Sequence, residues 1–460
     1  MGNFWDFKVW GVVNLFAVLL ISLLCANILK RRIKFLRVSL IPNSVLGGVI
    51  LMIIAGIYKL VTGEVMFNAD FFGGNGIATL EIITYHALAL GFIASTFKAS
   101  KGKLSKNRTS EIFNTGVTTV STYLIQGVLG LGVTIIAASV LSGFFAAAGI
   151  ILPFGFGQGT GQALNYGTIY ETEYGFSGGS SFGLIIASIG FLCASIGGVI
   201  YLNVLKRKKK IVISGEDVNE VLNSENIQSE NEIPMQGSID KITVQLAFVL
   251  LAYFITYLLM VVLGNLIPSM KSVIFGFNFL LGVLSATMIK FVLKIFKKTK
   301  IVEKEYTNDF LMTRISNLFY DIMVVAGIAA IRLGILQKYW GIVAVLAVLG
   351  MVSTYVYNLF VARTLFKDYA DEQFLTMYGM LTGTASTGVI LLREIDKDFK
   401  TPAADNLVYQ NFPAIVFGFP IMLLAKLAPE KPVITLIILF ALLVVMNLIL
   451  FRSKLFKRKK

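Results

Sequence analysis

The sequence predicts an all-α polytopic membrane protein: about eleven transmembrane helices and two re-entrant hairpins, arranged in two inverted repeats. Three observations carry this expectation. Of the 460 residues, 56% are hydrophobic, and the mean hydropathy is +0.77. Apolar stretches recur along the whole length and leave little room for a water-soluble core. Second, a polar, glycine-rich break interrupts the apolar sequence in each half. Residues 153–165 read Pro-Phe-Gly-Phe-Gly-Gln-Gly-Thr-Gly-Gln-Ala-Leu-Asn, and 378–388 read Tyr-Gly-Met-Leu-Thr-Gly-Thr-Ala-Ser-Thr-Gly. Lipid cannot hydrogen-bond a backbone, so non-helical chain at membrane depth survives only where protein buries it or it lines a wet cavity. Third, Lys and Arg fall in short runs between apolar stretches. The net charge of +15 therefore reads as membrane orientation, and a nucleic-acid-binding face is not expected.

A bilayer core of about 30 Å takes about 20 apolar residues. Such stretches lie at roughly 8–29, 40–62, 78–97, 113–141 and 180–205, then at 241–265, 272–294, 311–336, 340–364, 405–427 and 432–452. The first is too long for the apolar region of a cleaved signal, and Lys30, Arg31 and Arg32 follow it instead of preceding it. Each break sits between two apolar arms, so re-entrant hairpins are expected at about 143–175 and 371–396. Cys25 and Cys193 lie in apolar helices and read as small apolar residues. Trp5, Trp10 and Trp340 suit interfacial anchoring.

Charge fixes the sides. Basic clusters at Lys30–Arg37, Lys101–Arg108 and Lys206–Lys210 are separated by two spans each time. By the positive-inside rule all three are cytoplasmic, the N-terminus lies outside and the first hairpin enters from outside. A full span through 143–175 would put the Lys206 cluster outside. In the second half Lys294, Lys297, Lys298, Lys300, Arg363, Lys367 and the C-terminal run 452–460 fall inside, so the second hairpin enters from the cytoplasm; Lys59, Lys271 and Lys431 are outer exceptions. Residues 1–205 then form the first repeat and 206–240 a flexible cytoplasmic linker, polar from 211 onward. Residues 241–430 form the second repeat, of opposite orientation, and 431–460 an extra span with a basic tail. Short matches, Gly91 to Lys98 at the end of span 3 and Gly327 to Leu333 at the end of span 8, accompany the matched hairpins. Inverted repeats with interrupted helices are a recurring plan of secondary transporters.

The chain resembles the bacterial sodium/glutamate symporter family. The proline and paired glycines of that family's second span are matched by Pro42, Gly47 and Gly48. Its first tip, Gly-Gly-His-Gly-Thr, is similar to Gly157-Gln158-Gly159-Thr160, with glutamine in place of histidine. Its Gly-Arg-Asp-Tyr-Asp-Ala is similar to Lys367-Asp368-Tyr369-Ala370-Asp371, and its second tip is matched in part by 379–388. The likeness runs over roughly residues 10–427. It implies a sodium-coupled carrier in the bacterial cytoplasmic (inner) membrane, a homodimer, with a mobile hairpin-bearing domain working against a scaffold. The changed tips bear on glutamate specificity.

Candidate substrate-binding residues are Gly157, Gln158, Gly159, Thr160, Gln162 and Asn165 at the first tip, and Thr382, Gly383, Thr384, Ser386 and Thr387 at the second. The glycines allow positive φ and close approach of a ligand to the backbone. Helix N-termini favour a carboxylate, and C-terminal carbonyls and hydroxyls favour Na⁺. Asp321, ten residues into span 8, is a candidate ion ligand with Ser386 and Thr387, because ionisable residues at membrane depth are costly and usually functional. An alternative is a structural pair with Arg332 or Arg314; Arg332 would share its helix face three turns on. Arg393, among Glu394, Asp396, Lys397 and Asp398, reads as a solvated rim, His86 as a hydrogen-bonded helix contact, and Glu81 as interfacial. Tyr166, Tyr170 and Tyr174, with Glu171 and Glu173, read as lining the outer mouth.

These readings imply a secondary active transporter, importing glutamate or a similar small anionic or zwitterionic solute with Na⁺ by alternating access, with no cofactor and no covalent catalysis. A proton-coupled carrier of another amino acid or organic acid is the alternative, and an ion channel a further one. An intramembrane hydrolase lacks a local base for Ser386. No P-loop marks a primary pump.

Overall fold

The computed structural model describes residues 3–98, 106–208, 232–235, 239–300, 303–396 and 400–455. It is all-helical, with no β-strand among the described residues; Glu232 and Glu305 form an isolated bridge. In chain order the helices are α1 (Phe7–Arg32), α2 (Lys34–Val38), α3 (Asn43–Thr62), α4 (Gly76–Thr96), α5 (Lys106–Val140), α6 (Ile151–Gln158), α7 (Thr160–Glu173) and α8 (Gly179–Arg207). After the polar segment come α9 (Lys241–Leu266), α10 (Lys271–Gly276), α11 (Asn278–Lys298), α12 (Asp309–Ala329), α13 (Leu333–Leu365), α14 (Ala370–Thr382) and α15 (Ala385–Arg393). The chain continues with α16 (Ala403–Tyr409), α17 (Asn411–Leu427), α18 (Pro432–Leu450) and α19 (Arg452–Leu455). Among the described residues ten helices are long and apolar enough to span a membrane, or up to eleven if Ala403–Tyr409 and Pro413–Leu427, bent by 51°, count as one span. A polytopic membrane protein is the coarse result.

Local chemistry explains the ends. Pro42 precedes α3, and Gly63, at φ +76°, closes it by donating its N–H to the Lys59 carbonyl. Asp240 caps α9 by accepting from the Ile242 N–H. Pro432 opens α18, where its missing N–H costs nothing.

One expected span is shorter than its apolar run. The apolar run at 311–336 is expected to be one span, but α12 ends at Ala329 and α13 begins at Leu333. Arg332 takes an extended conformation, its N–H donates to Ser181 Oγ at 3.2 Å, and its guanidinium is drawn to Glu81 and Glu171. These bonds replace the helical ones. Asp321 and Arg332 therefore do not share a helix face.

The chain divides into two compact units. The smaller comprises 82–103 and 216–323. Its core packs α4, α9, α11 and α12 through Ile93, Phe97, Val249, Ala286 and Met312. His86 Nδ1 lies 2.5 Å from the Tyr253 hydroxyl, a helix-to-helix hydrogen bond. Of the expected linker, residues 232–235 are held here. Glu232 accepts from Lys241 Nζ at 2.7 Å and from Asn308 Nδ2 at 2.6 Å, and Lys241 is only 1% exposed. Residues 209–231 and 236–238 of that linker lie outside the described residues.

The larger unit comprises 1–81, 104–215 and 324–460. It holds both glycine-rich breaks, and the remaining sections concern it.

Candidate functional site

The first break is a helix–glycine–helix tip. α6 ends at Gly159, whose φ of +81° and ψ of −168° lie in a region essentially reserved for glycine. The arms fold back on each other: the Phe154 and Tyr166 rings stack with centroids 4.1 Å apart. No side chain caps α7 at Gly159, and the positive end of its helix dipole lies at this tip. Gln162, in that first turn, is 1% exposed, and neither its Oε1 nor its Nε2 has a protein partner. Leaving such a group unsatisfied costs about 1–3 kcal/mol.

The second break has a different tip chemistry. α14 and α15 also fold back, and a Cβ on Gly379 would fall 2.8 Å from Gly388 Cα. Gly383, with φ −140° and ψ −107°, is not left-handed, so the expected need for positive φ holds at Gly159 and not here. Its side would instead meet the Gly379 carbonyl at 3.0 Å and Thr387 Oγ1 at 2.9 Å. The hydroxyls are largely spent on the hairpin itself. Thr384 Oγ1 caps α15 by accepting from the Thr387 N–H and also approaches Thr387 Oγ1 at 3.3 Å, and Thr382 Oγ1 donates to the Tyr378 carbonyl at 2.6 Å. The side chain of Ser386 lies outside the described ones.

One stretch of α5 holds both tips. The Tyr123 hydroxyl donates to the Gly157 carbonyl at 3.1 Å, and Gln126 Nε2, three residues on, donates to the Leu381 carbonyl at 2.9 Å. Residues i and i+3 share a helix face. Gly190 of α8 completes the contact: a Cβ there would lie 2.6 Å from the Thr382 carbonyl oxygen and 3.2 Å from Phe156. Thr160 packs on Gly327 at the end of α12. The two breaks, more than 200 residues apart in sequence, thus converge on the same turn of α5.

The polar face of α5 extends away from the tips. Thr119 Oγ1 donates to Gln410 Oε1 at 2.9 Å, and Thr115 Oγ1 accepts from Gln373 Nε2 at 3.3 Å. Asn406 Nδ2 reaches Gln373 Oε1 and the Tyr369 hydroxyl, which donates to Glu111 beside Arg108. Sequence reasoning missed Tyr123, Gln126, Thr354, Asn358, Gln373, Asn406 and Gln410. The signal was present: Thr115, Thr118, Thr119, Thr122 and Gln126 recur at helical spacing inside an apolar span.

The expected residues divide accordingly. Gly157, Gln158, Gly159, Thr160, Gln162, Thr382, Gly383, Thr384 and Thr387 belong to the converging tips, with Gln158 and Thr384 half-buried and the others buried. Asn165 follows one turn along α7, half-buried. Asp321 is exposed and lies in the smaller unit. Arg393 is exposed at the end of α15; nearby Asp396 accepts from the Lys400 and Thr401 N–H groups at 2.9 Å, while Lys397 and Asp398 lie outside the described residues.

Tyr166 and Tyr170 do not line a mouth. They are 1% and 0% exposed and donate to the Met422 and Ala425 carbonyls of α17 at 2.8 and 2.5 Å; Tyr174, half-buried, reaches the Lys426 carbonyl at 3.3 Å. These are chiefly carbonyls that the last turn of α17 leaves open. Glu171 instead pairs with Arg332 Nη1 at 3.2 Å, and Glu81 with Nη2 at 3.3 Å. Burial pushes the Glu171 carboxyl up, but bonds from Ser180, the Arg332 charge and the Gly178 N–H outweigh it and hold it below its ordinary value.

The chain matches no protein-family model and no curated protein.

Proposed function

We propose that this protein is a secondary active transporter that imports glutamate or a similar small anionic or zwitterionic solute together with Na⁺. The observation that carries the reading is the convergence of two helix-breaking tips on Tyr123 and Gln126 of one helix. Paired interruptions of this kind at membrane depth are how secondary transporters build a central site from freed backbone groups. The uncapped start of α7, with the partnerless amide of buried Gln162, is suited to a substrate carboxylate. The second tip, closed on itself by Thr384, presents the carbonyl end of α14 to a cation. The tips are read as re-entrant hairpins of two inverted repeats in a bacterial inner-membrane protein, with the N-terminus outside, the C-terminus cytoplasmic and a homodimeric assembly. The resemblance to sodium/glutamate symporters supports this reading, and a proton-coupled carrier is its rival.

The test is uptake of labelled glutamate into proteoliposomes, with an inward Na⁺ gradient, with a pH gradient alone, and with neither. Saturable, Na⁺-dependent accumulation is expected. Accumulation driven by the pH gradient alone would replace Na⁺ by H⁺, and unitary currents would replace the carrier by a channel.

A further inference from the structure

We propose that α5 and α13 form a monovalent-cation site below the tips, built from Thr122, Gln126, Thr354 and Asn358. This rests on the carrier reading and names a site for the coupling ion distinct from Asp321, Ser386 and Thr387. The four side chains are 0–2% exposed and cross-linked reciprocally. Gln126 Nε2 of α5 donates to Thr354 Oγ1 of α13 at 2.8 Å, and Asn358 Nδ2 of α13 donates to Thr122 Oγ1 of α5 at 3.2 Å. Each threonine lies one turn before the amide on its own helix.

The orientation of both amides is settled chemically. Gln126 Nε2 also serves the Leu381 carbonyl, and Asn358 Nδ2 the Thr354 carbonyl, both at 2.9 Å. A carbonyl accepts only from a donor, so the nitrogens are in place and the other end of each amide is oxygen. Those two oxygens, Gln126 Oε1 and Asn358 Oδ1, are buried without a protein partner. Thr122 Oγ1 spends its proton on the Thr118 carbonyl at 2.8 Å and has only lone pairs left to offer. The cluster therefore presents oxygen acceptors, and among these contacts only the Thr354 hydroxyl proton is left to donate. It also sits at the C-terminal end of α14, through Leu381, where the helix dipole is negative.

Such a set fits a hard cation of single charge. Neutral oxygens suit Na⁺, whereas Ca²⁺ and Mg²⁺ sites rely on carboxylates, and none of the four residues carries one. Ion binding would fix Gln126, and Gln126 holds the second tip through Leu381. Occupancy of this site and the position of that tip are then one equilibrium, which is what coupling requires.

The experiment is thermal unfolding of the purified full chain in detergent, titrated with NaCl, KCl or choline chloride at constant ionic strength. Na⁺ is expected to raise the midpoint in a saturable way that choline does not reproduce. Gln126→Leu and Asn358→Leu should each weaken Na⁺ at least about tenfold, and Thr122→Val, nearly isosteric, should weaken it with the fold intact. If the Leu variants do not fold, Thr122→Val decides. Equal midpoints in all three salts would overturn the site and leave the polar square to bound water; a Na⁺ shift unchanged in the variants would overturn it by placing the ion elsewhere. Saturable uptake without any Na⁺ shift would reject the site and keep the carrier. A Na⁺ shift lost in the variants, without glutamate uptake, would keep the site and reject the substrate.

Discussion

Gly190→Ala should disable transport by prising both tips at once. The added Cβ would stand 2.6 Å from the Thr382 carbonyl oxygen and 3.2–3.3 Å from Phe156. A comfortable C···O contact is about 3.3–3.6 Å, so Thr382 must yield by roughly 0.7 Å. It is backbone at the end of α14, and it cannot rotate aside as a side-chain tip would. Overpacking of this kind costs about 1–3 kcal/mol. If that cost falls on the tip arrangement that binds substrate, affinity drops about 5- to 150-fold. Initial-rate uptake in proteoliposomes measures this, and thermal unfolding in detergent measures the strain without needing a substrate. Gly334→Ala is the control: no heavy atom lies within 4 Å of its Cβ position, and alanine is the better helix former by about 1 kcal/mol. Wild-type uptake and a wild-type midpoint for Gly190→Ala would refute the claim that the tips meet at this glycine.

Gly159→Ala should abolish uptake while the protein still folds, because alanine at φ +81° and ψ −168° costs about 1–3 kcal/mol at the tip itself; size-exclusion profiles alongside uptake check both halves of this statement. Glu232→Gln should lower the unfolding midpoint by the equivalent of about 3–5 kcal/mol, since it leaves Lys241 buried without its counter-charge, and Lys241→Met in the same chain should restore much of it. The Glu171 carboxyl is held below its ordinary value of 4.5. Its contribution is therefore present above that value and lost as pH falls through the lowered one. Unfolding midpoints measured from pH 7 to pH 3 should show an acid limb that Glu171→Gln flattens.

Much of this architecture is written in local patterns. Long apolar runs bounded by Lys and Arg are one-dimensional signals, and most helix ends follow them within a few residues, although α5 and α13 begin, and α12 ends, seven residues earlier than expected. Gly159 was readable because a glycine-flanked polar tip has few other uses inside an apolar run. The break at 330–332 was not readable, because Ser181, Glu171 and Glu81 are distant in sequence and together pull Arg332 out of its helix. Two glycine-rich tips of similar composition differ in the residue before the second arm: Gly159 has no side chain to cap α7, whereas Thr384 caps α15. Gln126 and Asn358 do not stand out in the sequence, because single amides in apolar helices look incidental. Their significance appears only when a carbonyl fixes which end of each amide is oxygen, that of Leu381 on α14 for Gln126 and that of Thr354 on α13 itself for Asn358.

Tyr166 and Tyr170 stand one turn apart on α7, and the carbonyls they engage on α17, Met422 and Ala425, stand three residues apart, while Tyr174 just past the end of α7 reaches Lys426. Such a contact works like a graduated scale. A sliding step of a whole turn, about 5.4 Å, would bring the hydroxyls to fresh carbonyls, whereas a half step would strand the two buried phenol protons in an apolar setting. The two buried hydroxyls thus hold the first tip in register with α17 and oppose a partial slide.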